Sequence, residues 1–310
     1  MTDSKNKKPL VEAGLIAAIT SFFIIGTLYI PMLSMALIML PVPFILLSVR
    51  HGTRYTIFSL IITSLLIGFL TGVFYTVFIF VISTPIALIM GYSIKKKKKP
   101  YEVVGWGTAA TVFSTFFIIQ LISTISGINI IKELSTILQE IASQQVDMLT
   151  SLDIGLIDVK KTLDYLMMLL PALIIVQSMV GAFINYYLTS VIINRFKLVD
   201  YQLGDFSDFK LPGNIVFGSF IIFILSVMTS YIDGIDHNTL IANITVIFVM
   251  IFFLQGISFI AYLLKKSKTP KIIRITSVVL IVLITPLMTL VSLIGLFDSI
   301  LNLRRINKKQ

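Results

Sequence analysis

Few side chains in this sequence could do chemistry. The two histidines, His51 and His237, lie in connections predicted to face opposite sides of a membrane, so they cannot share a metal ion or act as an acid–base pair. The chain has no cysteine, which excludes disulfides and thiolate sites. It also lacks HExxH, GxSxG and P-loop motifs. These observations predict a protein that is not an enzyme and that uses no metal or cofactor.

Polar side chains within the apolar segments are the next candidates, because a charge at mid-membrane costs about 3 kcal/mol on insertion scales. Glu12 and Asp298 are the acids in these segments. The amides of Gln120, Gln177 and Asn185 could hydrogen-bond neighbouring helices, or they could together form a polar ligand site. The sequence leaves both interpretations open.

Small residues share one face of the first apolar segment: Ala13, Gly14, Ala17 and Ala18. Small residues four positions apart let another helix approach closely. The approaching helix could belong to the same chain, or it could belong to a membrane partner that docks on this face.

Charged residues near the segment ends are predicted to anchor the fold. Arg50 and Arg304 are the expected anchors, and Asp298 is expected to pair with one of them. A run of lysines follows the fourth apolar segment and should attract anionic lipid headgroups. This run consists of Lys95, Lys96, Lys97, Lys98 and Lys99.

The composition requires lipid as the solvent for most of the surface. Hydrophobic residues make up 56% of the chain and charged residues only 13%, and the mean hydropathy is +0.97. Apolar runs near the roughly 20 residues that cross a bilayer as helix predict an all-α, polytopic membrane protein rather than a β-barrel. The net charge of +10 is distributed between the runs, which favours topology signals over nucleic-acid binding.

The apolar segments predict about eight to ten crossings of a bacterial cell membrane. Nine candidate spans are 10–30, 33–49, 55–72, 74–94, 103–126, 166–194, 215–232, 240–264 and 272–303. Lysine and arginine are concentrated at alternate connections, which places the N-terminus in the cytoplasm.

The spans group into two predicted units. Residues 1–194 form a six-span unit with an external amphipathic insertion at 127–165, which is either a helix packed at the membrane surface or a substrate lid. Residues 195–212 form a polar elbow whose aromatic rings suit the cytoplasmic membrane interface. Residues 213–310 form the C-terminal unit.

Proline marks irregular backbone in two spans. Pro41 and Pro43 remove two amide donors from the second span, which predicts either a kink or a broken helix lining a cavity. The segment 272–303 is long for one crossing and contains Pro286, so it forms either a helical hairpin or one kinked helix. The closing basic residues favour the hairpin.

Three passages resemble a known family. LPVPFILLSVRHG at 40–52, the elbow ending FKLP at 209–212, and GLFDSILNLRR at 295–305 resemble the YybS-like family of uncharacterised bacterial membrane proteins. That family is more distantly similar to the substrate-binding subunits of energy-coupling-factor transporters, which have six helices. This second resemblance implies a coupling subunit that docks on the small-residue face.

The sequence supports two functional hypotheses. The first is a solute-binding or transport-like subunit built on the six-span unit. The second is a non-transporting scaffold in envelope or signalling physiology, which would bind proteins through the elbow, the lysine run and the basic tail.

Overall fold

A computed structural model describes residues 3–151, 159–267, 269, 270, 273, 276, 277, 280, 281, 284 and 286–304. The described residues contain helices and no β-strand. Within the described part of the chain, eight helical segments are long and apolar enough to cross a membrane. They correspond to the first eight predicted spans, so the fold class and a multi-pass membrane location are confirmed.

The six-span unit contains the first eight α-helices, and a 3₁₀ helix at Pro31–Met39 begins its second crossing. The α-helices are α1 (Asp3–Tyr29), α2 (Pro41–His51), α3 (Thr53–Thr71), α4 (Val73–Lys95), α5 (Pro100–Ser126), α6 (Ile130–Ser151), α7 (Val159–Met168) and α8 (Leu170–Phe196). The elbow follows, and the C-terminal unit contains α9 (Gly213–Met228), α10 (His237–Lys266) and α11 (Leu287–Leu301).

Single glycines connect the early spans. Gly52 joins α2 to α3 with φ of 90°, and Gly72 joins α3 to α4 with φ of 102°. A residue with a Cβ is disfavoured at such angles, so glycine permits a reversal without a loop. The resulting antiparallel helices place Arg50 and Lys95 at the same end of the bundle as the elbow. We call this the elbow end.

One continuous apolar core joins the two units. α4 packs against α2, α3 and α5, and α8 packs against α5 and α10. The elbow contributes Leu203, Phe209 and Leu211 to the same core, and each of these side chains is at most 9% exposed. These three elbow side chains are therefore part of the interior.

Two elbow phenylalanine rings pack against α8, while the position predicted for the elbow at the cytoplasmic membrane interface stays a prediction. The Phe206 ring lies edge-on to Phe183, with 5.1 Å between ring centroids, and Phe209 lies 5.5 Å from the same ring. The Tyr201 hydroxyl donates to the Ile94 carbonyl. Phe196 is the elbow phenylalanine that stays exposed, at 66%. The aromatic–polar alternation of the sequence does not show that Phe206 and Phe209 pack on Phe183 of α8.

α11 runs parallel to α10. Ser292 Oγ donates to the Val249 carbonyl at 2.9 Å near its start, and Tyr262 Oη donates to the Arg304 carbonyl at 3.4 Å near its end. The end of α11 therefore lies at the elbow end. The hairpin predicted at 272–303 depends on a first arm that falls largely outside the described residues, so it stays a prediction.

Candidate functional site

Arg304 forms a buried ion pair with Asp298. The side chains of both residues are 0% exposed, and Arg304 Nη2 lies 2.9 Å from Asp298 Oδ2. Arg304 Nε donates to the same oxygen at 3.0 Å. These two contacts give the buried carboxylate a directed, charge-assisted partner. The sequence predicted that Asp298 pairs with Arg50 or Arg304, and in the structure its partner is Arg304.

The same guanidinium holds the elbow backbone. Arg304 Nη1 donates to the carbonyls of Ser207 at 2.8 Å and Phe209 at 3.0 Å, and to Ser258 Oγ at 3.0 Å. Ser258 Oγ in turn donates to the Phe206 and Phe209 carbonyls, both at 2.8 Å. These contacts leave the elbow carbonyls paired although they are buried.

Gln255 completes this cluster from α10. Its Nε2 donates to Asp298 Oδ2, and its Oε1 accepts from the Leu211 amide at 3.0 Å. We call Gln255, Ser258, Asp298 and Arg304 the clamp, because they join α10, α11 and the elbow. Asp298 Oδ1 is buried without a hydrogen-bond partner among the described residues.

Lys210 lies at the edge of the clamp. Its ammonium donates to Asn302 Oδ1 beyond the end of α11. Burial lowers the pKa of Lys210 below its ordinary value, and the Asp298 carboxylate opposes part of that shift. Lys210 is thus a second tie between the elbow and the end of α11.

A second polar region surrounds the break in the second span. Asn185 of α8 is 1% exposed, and its Nδ2 donates to the Ile38 carbonyl at 2.8 Å and to the Gly181 carbonyl at 2.7 Å. Pro41 and Pro43 cannot donate backbone hydrogen bonds at the junction of the 3₁₀ helix and α2, so carbonyls there need other donors. The side chain of Asn185 supplies one.

Several buried polar atoms in the six-span unit lack a partner among the described residues. Asn185 Oδ1 and Thr189 Oγ1 lie four residues apart on the buried face of α8. Ser48 Oγ lies on α2, where a Cβ added at Gly91 would come within 2.3 Å of it. We call the six residues that carry these atoms the polar core: Ser48, Ser83, Thr84, Ser114, Asn185 and Thr189.

The comparisons with known proteins agree with this architecture. Residues 18–299 match the family model described as "Predicted membrane protein (DUF2232)". The chain belongs to this family. It is 23% identical over 276 residues to the "Uncharacterized protein YybS" of Bacillus subtilis (strain 168), covering 85% of this chain and 87% of that protein. No solved structure matches.

The three predicted amides do not form one buried site in this family member. Gln120 and Gln177 are exposed, whereas Asn185 is buried. Gln120 Nε2 lies 3.5 Å from Thr124 Oγ1, one turn along its own helix. α5 and α8 are apolar on nearly every side, so their sequences do not show which amide faces inward. Asn185 alone remains a candidate for contact with a ligand in the interior.

The predicted docking face is largely occupied by the chain itself. Ala13 and Ala17 are 0% exposed, and α1 packs against α3, where Ser59 Oγ donates to the Ala13 carbonyl at 2.8 Å. Gly14 is partly buried and Ala18 is exposed. The small-residue spacing therefore serves internal packing at Ala13 and Ala17, and these two residues are not available to a coupling subunit.

Arg50 is paired with Glu12. Its Nη1 donates to Glu12 Oε1, and His51 Nε2 lies 2.8 Å from Glu12 Oε2. The second histidine, His237, contacts Thr229 Oγ1 at 3.0 Å through Nδ1. Among the described residues, no group of three or more His, Cys, Asp or Glu side chains is arranged to hold a metal ion.

The lysine run lies exposed at the elbow end. Lys98 Nζ lies 3.2 Å from Glu102 Oε2, and Lys97 Nζ lies 5.0 Å from the centre of the Tyr201 ring. Burial raises the pKa of Tyr201, which keeps its hydroxyl protonated as a hydrogen-bond donor. Binding of anionic lipid by Lys95–Lys99 stays a prediction.

Sequence reasoning did not include Gln255 and Ser258 in a site. Both lie on the buried face of α10, at 0% exposure, in the run FLQGISF. Two hydrogen-bonding side chains three positions apart on an otherwise apolar helix could have indicated them. Their partners could not be inferred, because the elbow and Arg304 are distant in sequence.

Proposed function

We propose that this multi-pass membrane protein is a solute-binding, transport-like subunit whose site is the polar core beside the broken second span. The observation that carries the proposal is Asn185. Its Nδ2 donates a hydrogen bond to the Ile38 carbonyl of the 3₁₀ helix, while its buried Oδ1 has no partner among the described residues.

Buried polar atoms support a ligand site because they are costly when unpaired. Leaving one unsatisfied costs about 1–3 kcal/mol, so nearly all such atoms in native proteins have a partner. Discontinuous membrane helices commonly line the binding sites of transporters. The backbone groups that a helix break leaves unpaired need hydrogen-bond partners, and a polar solute can supply them. A solute hydroxyl or N–H group could donate to Asn185 Oδ1, and Thr189 could bind a second solute atom.

The charge distribution favours an uncharged solute. Among the described residues, the buried charged side chains are Asp298 and Arg304, which pair with each other in the clamp. A charged solute in the polar core would have no opposite charge and would lose its hydration. We therefore expect the solute to be a small neutral molecule with several hydrogen-bonding groups.

The test uses the Thr189→Val variant, which removes one unpartnered hydroxyl from the polar core. The protein is purified in nanodiscs from cell membranes, and small molecules released by denaturation are measured by mass spectrometry. We expect the wild type to release a stoichiometric solute and Thr189→Val to release at least tenfold less. The thermal midpoint of solute-free Thr189→Val should be no lower than that of the solute-free wild type, because the hydroxyl had no partner to lose.

Thr63→Val is the matched control. Thr63 is also 0% exposed, but its hydroxyl donates to the Ser59 carbonyl of its own helix at 2.8 Å. This variant should retain the solute. The proposal fails if the wild type releases no solute, or if both variants retain solute equally.

The alternative is a non-transporting scaffold. The observation that favours it is the exposed lysine run at the elbow end, where an acidic protein surface could bind. Recovery of one stoichiometric protein, without any solute, from the same nanodisc preparation would favour this alternative. Loss of that protein after replacing Lys96 and Lys99 by Gln would locate its binding surface.

A further inference from the structure

In residues 130–141, α6 presents an apolar face that the bundle does not cover. Ile131, Leu134, Ile137 and Ile141 are 48%, 36%, 45% and 49% exposed, respectively. No side chain from residue 130 to residue 141 is buried. These apolar positions recur at helical spacing, so they form one stripe along the helix.

The opposite face of α6 is polar. Lys132, Glu133, Gln139 and Glu140 occupy it, and all four are exposed. A helix with separated apolar and charged faces and low net hydrophobicity is the type that lies in a membrane interface rather than crossing the bilayer. The charged face is stable in contact with water, while the apolar stripe is stable only when lipid or protein removes it from water.

α6 begins next to the membrane. α5 crosses the membrane and ends at Gly127, whose φ of 69° turns the chain. Asn129 Oδ1 accepts from the Lys132 amide at 3.1 Å and so caps the first turn of α6. Two residues separate Gly127 from the start of α6, so the helix begins where α5 leaves the bilayer.

We propose that α6 lies in the membrane interface at the end of the bundle opposite the elbow, with its apolar stripe in the lipid. The bilayer is the occupant because the preceding helix exits it within two residues of α6, and because exposed apolar surface on this scale is disfavoured in water. The inference does not depend on the proposed solute site.

The chain contains no cysteine, so single-cysteine labelling can test this placement directly. Leu134→Cys places a nitroxide label on the apolar stripe, and Thr136→Cys places one on the polar face of the same helix. Both variants are reconstituted in phosphatidylcholine nanodiscs. Collision rates with oxygen, which partitions into lipid, and with a water-soluble nickel chelate are then measured by EPR.

Two reference variants calibrate the measurement. Phe217→Cys lies on α9, where the native side chain is 69% exposed within a span, and should report lipid. Asp233→Cys lies in an exposed turn and should report water. Variants are compared after size-exclusion chromatography has shown the same monodisperse profile as the wild type.

We expect the oxygen-to-nickel ratio at Leu134→Cys to approach that of Phe217→Cys and to exceed that of Thr136→Cys at least threefold. Equal nickel access at Leu134→Cys and Thr136→Cys would overturn the proposal, because the helix would then lie in water. Protection of Leu134→Cys from both reagents would also overturn it, because protein would then cover the stripe.

Discussion

At the level of single residues, the clamp depends on the shape of arginine. Arg304 directs Nε, Nη1 and Nη2 to acceptors on the elbow, α10 and α11. The guanidinium offers five donors in a planar fork, whereas a lysine ammonium offers three from one point. One buried side chain thus joins three segments, and the paired Asp298 charge makes its burial tolerable.

Replacing Asp298 should lower the free energy of unfolding, because Arg304 would then be buried without an opposite charge. Asp298→Asn leaves the Arg304 charge uncompensated in the interior, so we expect the free energy of unfolding to fall by about 3–5 kcal/mol. The measurement is the thermal or denaturant midpoint of the purified protein in one fixed detergent. The double variant Asp298→Leu/Arg304→Met removes both charges and should recover part of the loss, because the buried Ser207 carbonyl then lacks its Arg304 donor.

Glu12→Gln provides the control for the loss of an ion pair. The Arg50 and Glu12 side chains are 38% and 23% exposed, so this pair is partly solvated. We expect a loss of about 1 kcal/mol or less. Equal losses in Glu12→Gln and Asp298→Asn would contradict the argument that burial makes the clamp costly to break.

At the level of helices, α10 and α11 approach through glycine. A Cβ added at Gly295 would come within 2.0 Å of the Phe252 carbonyl oxygen and 2.5 Å of the Gly256 nitrogen. These are backbone atoms, which cannot rotate away as a side chain would. The close approach also brings Asp298 of α11 within hydrogen-bond reach of Gln255 on α10.

Gly295→Ala should therefore separate the two helices. We expect a loss of about 1–3 kcal/mol in the free energy of unfolding, as is typical of overpacking. Gly218→Ala in α9 is the matched control, because nothing lies within 4 Å of a Cβ at that position. It should be neutral or stabilising by up to about 1 kcal/mol, since alanine favours helix more than glycine does. Both midpoints are measured in the same detergent.

The stability of the first turn of α10 should depend on pH, because Asp236 caps this turn. Hydrogen bonds from the Thr239 side chain and amide lower the pKa of Asp236 below its ordinary value of 3.8. A carboxyl group with a lowered pKa stabilises the folded helix above 3.8, and that contribution is lost as the pH falls through the lowered value. Amide hydrogen exchange in the first turn of α10 should therefore gain protection between acid and neutral pH.

Asp236→Asn is the control for this prediction. Its amide cannot ionise, so the protection of the first turn, corrected for intrinsic exchange, should no longer change with pH. A wild-type protein and an Asp236→Asn variant with the same pH profile would contradict the assignment of Asp236 as the cap.

At the level of the whole molecule, span positions could be predicted because hydrophobicity over about 20 residues is a local property. The span predicted at 240–264 falls within α10, and the span predicted at 10–30 ends one residue beyond α1. The break in the second span was also visible in sequence, since proline removes a donor wherever it occurs. The structure adds that a 3₁₀ helix precedes the break and that Asn185 compensates it.

Helix rotation and long-range pairing could not be predicted from the sequence. α1 and α5 are apolar on nearly every side, so their patterns do not distinguish a face that packs on protein from one that faces lipid. For this reason the sequence could not decide between the two interpretations of Ala13 or of Gln120. The hydrogen bonds that hold the elbow backbone could not be predicted either, because their donors, Ser258 and Arg304, lie far along the chain.

The clamp makes a prediction about the topology of the whole chain. Arg304 bonds to elbow carbonyls, so the end of α11 and the elbow must lie on the same side of the membrane. Two single-cysteine variants, Gln202→Cys in the exposed part of the elbow and Leu303→Cys beside Arg304, should therefore react alike with a membrane-impermeant maleimide. Both should react in inside-out vesicles and not in sealed right-side-out vesicles, because the basic residues place this side in the cytoplasm.

Asp233→Cys, in the connection between α9 and α10, gives the opposite reference. It should react in right-side-out vesicles only, because a single span separates it from the elbow. If Leu303→Cys instead behaves like Asp233→Cys, the chain crosses the membrane once more after α10 and the clamp cannot form. If Leu303→Cys behaves like Gln202→Cys, the segment after α10 must enter and leave on one side, as a helical hairpin turning near Pro286 requires.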